Sequence, residues 1–159
     1  GFGYHGFRDS TFCAFSGEAL RQTNSADLPI TVKASIVMGE YITRRTGGRF
    51  YAKSSNLVQW LRAEYDRALD TFDVLVIPTL LTTAPRNTGL EGVELIHRAW
   101  GMAQNTAAFN MTGHPALAFP VGRVDGLPVS LMAIAKHFDE PVLFRLALAF
   151  EQNVNWLKQ

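Results

Sequence analysis

The sequence predicts an α/β fold, and three observations carry that expectation. A long helical stripe ends directly at the aliphatic run Val74-Leu75-Val76-Ile77. Two more apolar runs, Ala116 to Val121 and Val129 to Ala135, follow one another across a glycine-containing turn, and a final helical stripe closes the chain. Helices that alternate with short apolar strands bury both element types by packing helices on a sheet.

The elements follow in order. Gly1 to Asp27 mixes glycine, aromatic and small polar residues without periodicity, and reads as irregular apart from a helical turn near Glu18-Ala19-Leu20. From Pro29 the spacing of Val32, Ile36, Val37, Tyr41 and Ile42 predicts an amphipathic helix, with Gly47-Gly48 as its stop. Asn56 or a neighbouring serine is suited to cap a second helix, whose apolar positions Leu57, Leu61, Tyr65, Ala68, Leu69 and Phe72 recur every three or four residues. Val74 to Ile77, stopped by Pro78, predicts a strand covered on both faces. Leu80 to Gly92, with Pro85, Asn87 and Gly89, predicts a loop, and Leu95, Ala99, Met102 and Thr106 mark one helix ending before Gly113. Asp125-Gly126 links the two following strands by a short turn. Asp139 and Pro141 open the last helix, with Leu143, Leu146, Ala147, Phe150 and Val154 on one face.

Composition narrows the class of function. At 159 residues, 47% hydrophobic and 18% charged, the chain can bury one core as a single segment. Its 15 basic and 14 acidic residues leave a net charge of +1, so a polyanion-binding face, and nucleic acid as a partner, are not expected. The lone Cys13 rules out an internal disulfide framework and reads as an inert thiol. No apolar run reaches the roughly 20 residues a membrane helix needs, and the first residues lack a signal-peptide pattern. A cytoplasmic protein with no membrane association is the expectation.

Few residues group in a way that carries chemistry. Lys53-Ser54-Ser55 holds a base and two hydroxyls, but three successive residues at a helix start project in different directions and do not form a nucleophile–base pair. A capping role explains the serines. His5, His97, His114 and His137 are too scattered for a helical pair of ligands, so no metal is expected. His114, in the turn Thr112-Gly113-His114-Pro115, reads as a partner for a nearby backbone carbonyl. Arg44-Arg45 and Asp66 to Asp70 read as solvated helix faces.

Several segments together resemble the amidase signature family, serine hydrolases that cut carboxamides to acid and ammonia. Asp73-Val74-Leu75-Val76-Ile77-Pro78-Thr79 is similar to the family strand that delivers a loop to the substrate pocket. Phe109 to Gly122 resembles its Asn-x-Thr-Gly-x-Pro-Ala strand, and Gly126 to Ala135 the Gly-Leu-Pro-Val partner of that strand. His137-Phe138-Asp139-Glu140, continuing to Glu151, resembles the closing helix, while Met38 to Tyr41 and Arg49 to Leu57 resemble bacterial amidases of nitrile pathways. Ser130 and Ala135 stand where the family commonly has glycine.

The resemblance implies a mixed, mostly parallel sheet with helices on both faces, of which this chain supplies the C-terminal part. It implies hydrolysis through an acyl-serine intermediate with no cofactor and no metal. The family's Ser-Ser-Lys triad and its glycine- and serine-rich oxyanion loop are not found in this sequence, so residues 1–159 are expected to be inactive alone and to depend on an N-terminal catalytic part. Thr79, Phe109 and Asn110 are the candidates for lining the pocket; each suits a structural role as well, and for Phe109 core packing is the favoured one. The approach to Asn110, Gln104-Asn105-Thr106-Ala107-Ala108, carries no carboxylate and points to a neutral aliphatic or aromatic amide. Expected partners are a small-molecule amide, the N-terminal part of the same enzyme and a second copy in a homodimer. Two readings compete with this one: a noncatalytic domain derived from the fold, and a fragment of a glutamine amidotransferase of the A type.

Overall fold

The computed structural model describes residues 27–156 and the isolated positions 11, 14, 18 and 22. The irregular stretch expected before Asp27, with Cys13 and His5, lies outside the described residues, apart from Thr11, Ala14, Glu18 and Gln22, which are helical. The described elements are α1 (Ile30–Thr46), α2 (Arg49–Thr71), β1 (Leu75–Pro78), α3 (Gly92–Gly101), α4 (Ala107–Thr112), β2 (Ala116–Val124), β3 (Leu127–Ile134) and α5 (Glu140–Asn153).

The strands form one sheet in the order β1-β3-β2, with β3 in the middle and both pairings antiparallel. The parallel pairings expected of the family sheet do not occur among the described residues. Between β2 and β3, Asp125 and Gly126 have φ of 52° and 78°, two successive left-handed residues that fold the strands back through a primed turn. A bulge at Val121 shifts the register, so that Pro120 faces Ser130 and Gly122 faces Val129.

Helices cover both faces of this sheet. Along β3 the side chains alternate: Leu131, Ala133 and the following Ala135 share one side with Phe119, under Leu143, Leu146, Ala147 and Phe150 of α5. Met132 and Ile134 share the other with Phe109 of α4 and Tyr65 of α2, where Leu75 and Ile77 of β1 also pack. Ala133, Ile134 and Ala135 are fully buried, which places the core along β3. At roughly 25 cal/mol per Å² of apolar area removed from water, this two-sided burial is the main force holding the layers together.

Four expectations need correction. The second helix starts at Arg49, with Gly48 in the left-handed region at its N-cap, so Ser54, Ser55 and Asn56 lie inside the helix and cap nothing. The expected single helix from Leu95 to Thr106 is two, because the chain turns after Gly101 and becomes helical again at Ala107. β1 is an edge strand covered on one face, with Val76 48% exposed on the other. The stripe on α1 exists but is uncovered among the described residues, with Ile36, Val37 and Tyr41 each at least half exposed.

Candidate functional site

Two polar groupings sit at opposite ends of the sheet. At the C-terminal end of β1, Thr79 is the first residue beyond the strand. Its amide donates to the Ser130 carbonyl at 3.1 Å, and its hydroxyl oxygen accepts from the Ser130 hydroxyl at 3.0 Å. Asn105, in the turn between α3 and α4, donates from Nδ2 to the Pro78 carbonyl at 2.7 Å. The break in the expected helix thus places an amide side chain on the end of β1. Beside this edge lies a hollow of about 500 Å³, lined by Leu80, Leu81, Val121, Val129, Leu131 and Ser130 among others. A mostly apolar hollow with a few hydroxyls suits a small organic group.

None of the three candidates named from the sequence is among the residues lining it. Thr79 is half-buried at its margin. Phe109 is 6% exposed and belongs to the core, its ring centroid 5.1 Å from that of Tyr65. Asn110 follows it on α4 and is exposed, since consecutive helical residues point about 100° apart. Sequence reasoning passed over Asn105 as a positioning residue. It noted Ser130 only as a departure from glycine, the one signal available without the strand register.

At the other end of the sheet, residues distant in sequence meet. His114 is buried, with Nε2 at 3.1 Å from Asp66 Oδ1 and Nδ1 at 3.0 Å from Thr112 Oγ1. An ionised carboxylate only accepts, so Nε2 carries the proton and Nδ1 accepts from the threonine hydroxyl. Arg62 Nε donates to the Thr112 carbonyl at 2.8 Å. The His137 ring lies 4.2 Å from that of His114, tilted by 31°, and its Nε2 is buried with no hydrogen-bond partner. Burial holds the His114 imidazole below its ordinary value of 6.5, His137 and Arg62 acting in the same direction and Asp66 against it. Two sequence expectations change here. His114 pairs with a hydroxyl and a carboxylate, not a backbone carbonyl, and Asp66 is engaged instead of merely solvated. The two histidines, 23 positions apart in sequence, meet because they flank the β2–β3 hairpin at its open end.

Among the described residues no helix is long and apolar enough to cross a membrane. A family model described as Amidase matches residues 13–144. An uncharacterized protein in the nthA 5' region of Rhodococcus erythropolis is 42% identical over 137 residues, which are 84% of this chain and 69% of that protein. The enantioselective amidase of Rhodococcus rhodochrous is also 42% identical over 137 residues, and there the chain spans 26% of the relative's length. The A-type subunit of glutamyl-tRNA(Gln) amidotransferase from Lysinibacillus sphaericus is 32% identical over 140 residues, 87% of this chain and 28% of that protein. The structure of 6-aminohexanoate cyclic dimer hydrolase superposes with a TM-score of 0.68 at 21% identity, over 86% of this chain and 30% of that one, a likeness of fold. With that match covering residues 13–144, the chain belongs to the amidase family.

Proposed function

We propose that this chain is the C-terminal, pocket-wall segment of an amidase that hydrolyses a small neutral carboxamide, with the catalytic serines and lysine supplied by an N-terminal part. The observation that carries the proposal is the family match over residues 13–144, in a chain that spans only about a quarter of the enantioselective amidase it resembles. In the intact enzyme the serine hydroxyl would add to the amide carbon, ammonia would leave with the serine proton, and water would cleave the resulting ester to the carboxylic acid. The present segment would shape the space in which that carbon is held.

In this reading Thr79 and Asn110 border the amide's pocket once the N-terminal part completes it, and Phe109 supports them from the core. The apolar hollow beside Ser130 supports an uncharged acyl group, as does the absence of a carboxylate between Gln104 and Ala108. A cytoplasmic location and a homodimer are part of the same proposal. A role in glutamine amidotransfer is the second reading, favoured by the relative at 32% identity; the enantioselective amidase at 42% weighs more toward an amidase.

The test is the intact mass of the protein from its native source, with ammonia release from benzamide, an aliphatic amide and glutamine assayed on the same sample. A product well above 17.6 kDa that hydrolyses the neutral amides supports the proposal. Glutamine as the preferred substrate supports the amidotransferase. A 17.6 kDa product with no activity overturns both.

A further inference from the structure

We propose that Asp66, His114 and His137 form a binding site for a divalent transition-metal ion at the end of the sheet opposite Thr79. One ligand atom from each of the three residues lies within 4.8 Å of the other two. They come from separate parts of the chain: Asp66 from α2, His114 from the turn entering β2, and His137 from the segment leaving β3. Such convergence of three donor groups on one small volume is what a metal site requires, and spacing along the chain is irrelevant to it.

Two features separate this cluster from an ordinary buried hydrogen-bond network. The first is the orphaned nitrogen: His137 Nε2 is shut off from solvent and has no partner, an unfavourable state that a coordinated ion relieves. The second is the support behind His114. Ligating histidines characteristically hold their far nitrogen against an oxygen, and Nδ1 of His114 lies 3.0 Å from Thr112 Oγ1. When an ion takes Nε2, the proton moves to Nδ1 and donates to the Thr112 hydroxyl, which turns from donor to acceptor. The ring stays neutral throughout and no proton is released from it.

The donor set selects the class of metal. Two imidazoles and one carboxylate suit zinc, nickel, cobalt or copper, whereas magnesium and calcium prefer all-oxygen sites. Arg62 is the opposing charge at the site. Its Nε is committed to the Thr112 carbonyl, and the Asp66 carboxylate supplies a negative charge against it. Bound there, the ion ties α2 to the two strands that form the hairpin, a structural role independent of amide hydrolysis.

The experiment is a calorimetric titration of the chelator-treated 159-residue chain with zinc chloride, run beside His137→Ala and the distant, exposed His97→Ala. The expected result is saturable uptake of one equivalent with a rise in Tm. His137→Ala should weaken it by more than the roughly 10–100-fold typical of losing an outer-shell partner, while His97→Ala matches the unsubstituted chain. Absence of saturable uptake, or equal uptake by His137→Ala, overturns the proposal. Should circular dichroism show His137→Ala unfolded, the imidazole ¹⁵N resonances of the unsubstituted chain decide. Zinc must shift both His114 and His137 and leave His114 protonated at Nδ1; a shift in neither or in only one refutes the site.

Discussion

The hydroxyl of Ser130 donates to the hydroxyl of Thr79 at 3.0 Å, joining the middle strand of the sheet to the first residue beyond its edge strand. The bond lies beside the backbone bond from the Thr79 amide to the Ser130 carbonyl, so the residue leaving β1 is held twice by one partner. Ser130→Ala should therefore cost about 1 kcal/mol, the usual net worth of one such bond. The urea midpoint of the chain measures it. Thr79→Val should cost as much or more, because it leaves the half-buried Ser130 hydroxyl without that acceptor.

Phe109 gives a sharper result, because two roles were open to it in the sequence and the structure puts its ring in the core with Met132 and Ile134. Phe109→Ala should destabilise the chain by roughly 3–5 kcal/mol through the cavity it leaves. Phe109→Leu should recover most of that. A loss below about 1 kcal/mol for alanine in equilibrium unfolding would remove Phe109 from the core.

The pH dependence of stability follows from His114. Its imidazole is held below 6.5 in the folded chain, so below that value the unfolded chain binds the proton more readily. In chelator-treated protein the contribution is complete above pH 6.5 and is lost as the pH falls through the lower folded value. The groups facing the ring are Asp66, which opposes the shift, and His137 and Arg62, which reinforce it. Urea midpoints taken between about pH 7.5 and 5 should fall, and Asp66→Asn, which removes the opposing charge, should steepen the fall.

The β2–β3 turn rests on positive φ at both central residues. Gly126 has φ of 78°, and Gly126→Ala should cost roughly 1–2 kcal/mol because a Cβ crowds the left-handed conformation. Asp125→Asn should be tolerated, since asparagine adopts that region readily. Thermal melts of the two variants separate these outcomes.

Uncovered apolar side chains on α1 and α2 give the last prediction. Ile36, Val37, Tyr41, Phe50 and Trp60 are each more than half exposed. A surface of this kind draws association when nothing covers it. The isolated chain should bind a hydrophobic dye and self-associate in sedimentation, and Ile36→Lys with Tyr41→Glu should suppress both while changing the unfolding free energy by no more than about 0.5 kcal/mol.

Local chemistry was legible in the sequence, and long-range register was not. α5 could be read because Pro141 opens it and Leu143, Leu146, Ala147 and Phe150 fall on its covered face. The hairpin could be read because Asp125-Gly126 admits few other turns. The start of α2 misled because Ser54, Ser55 and Asn56 are good caps, yet Gly47 and Gly48, both left-handed, already break the chain and let the helix restart at Arg49. The turn after Gly101 carries a bond from Asn105 to Pro78, 27 positions away, which no local pattern encodes. The candidate site divides in the same way. Thr79 announces itself by following Pro78 at a strand end, whereas its partner Ser130, and the meeting of Asp66, His114 and His137, depend on which strands pair.

Because β3 lies between two strands that both precede it in the chain, synthesis delivers the outer strands first and the middle strand last. β1 leaves the ribosome with its only described neighbour still unmade, and the chain must be extended from Leu75 as far as Ile134 before those two residues can lie opposite each other. During that interval α1, α2 and β1 have no sheet to pack against, and their apolar residues are open to a chaperone or to a nascent neighbour. Translation speed across Ala116 to Ile134 thus sets how long the earlier half waits.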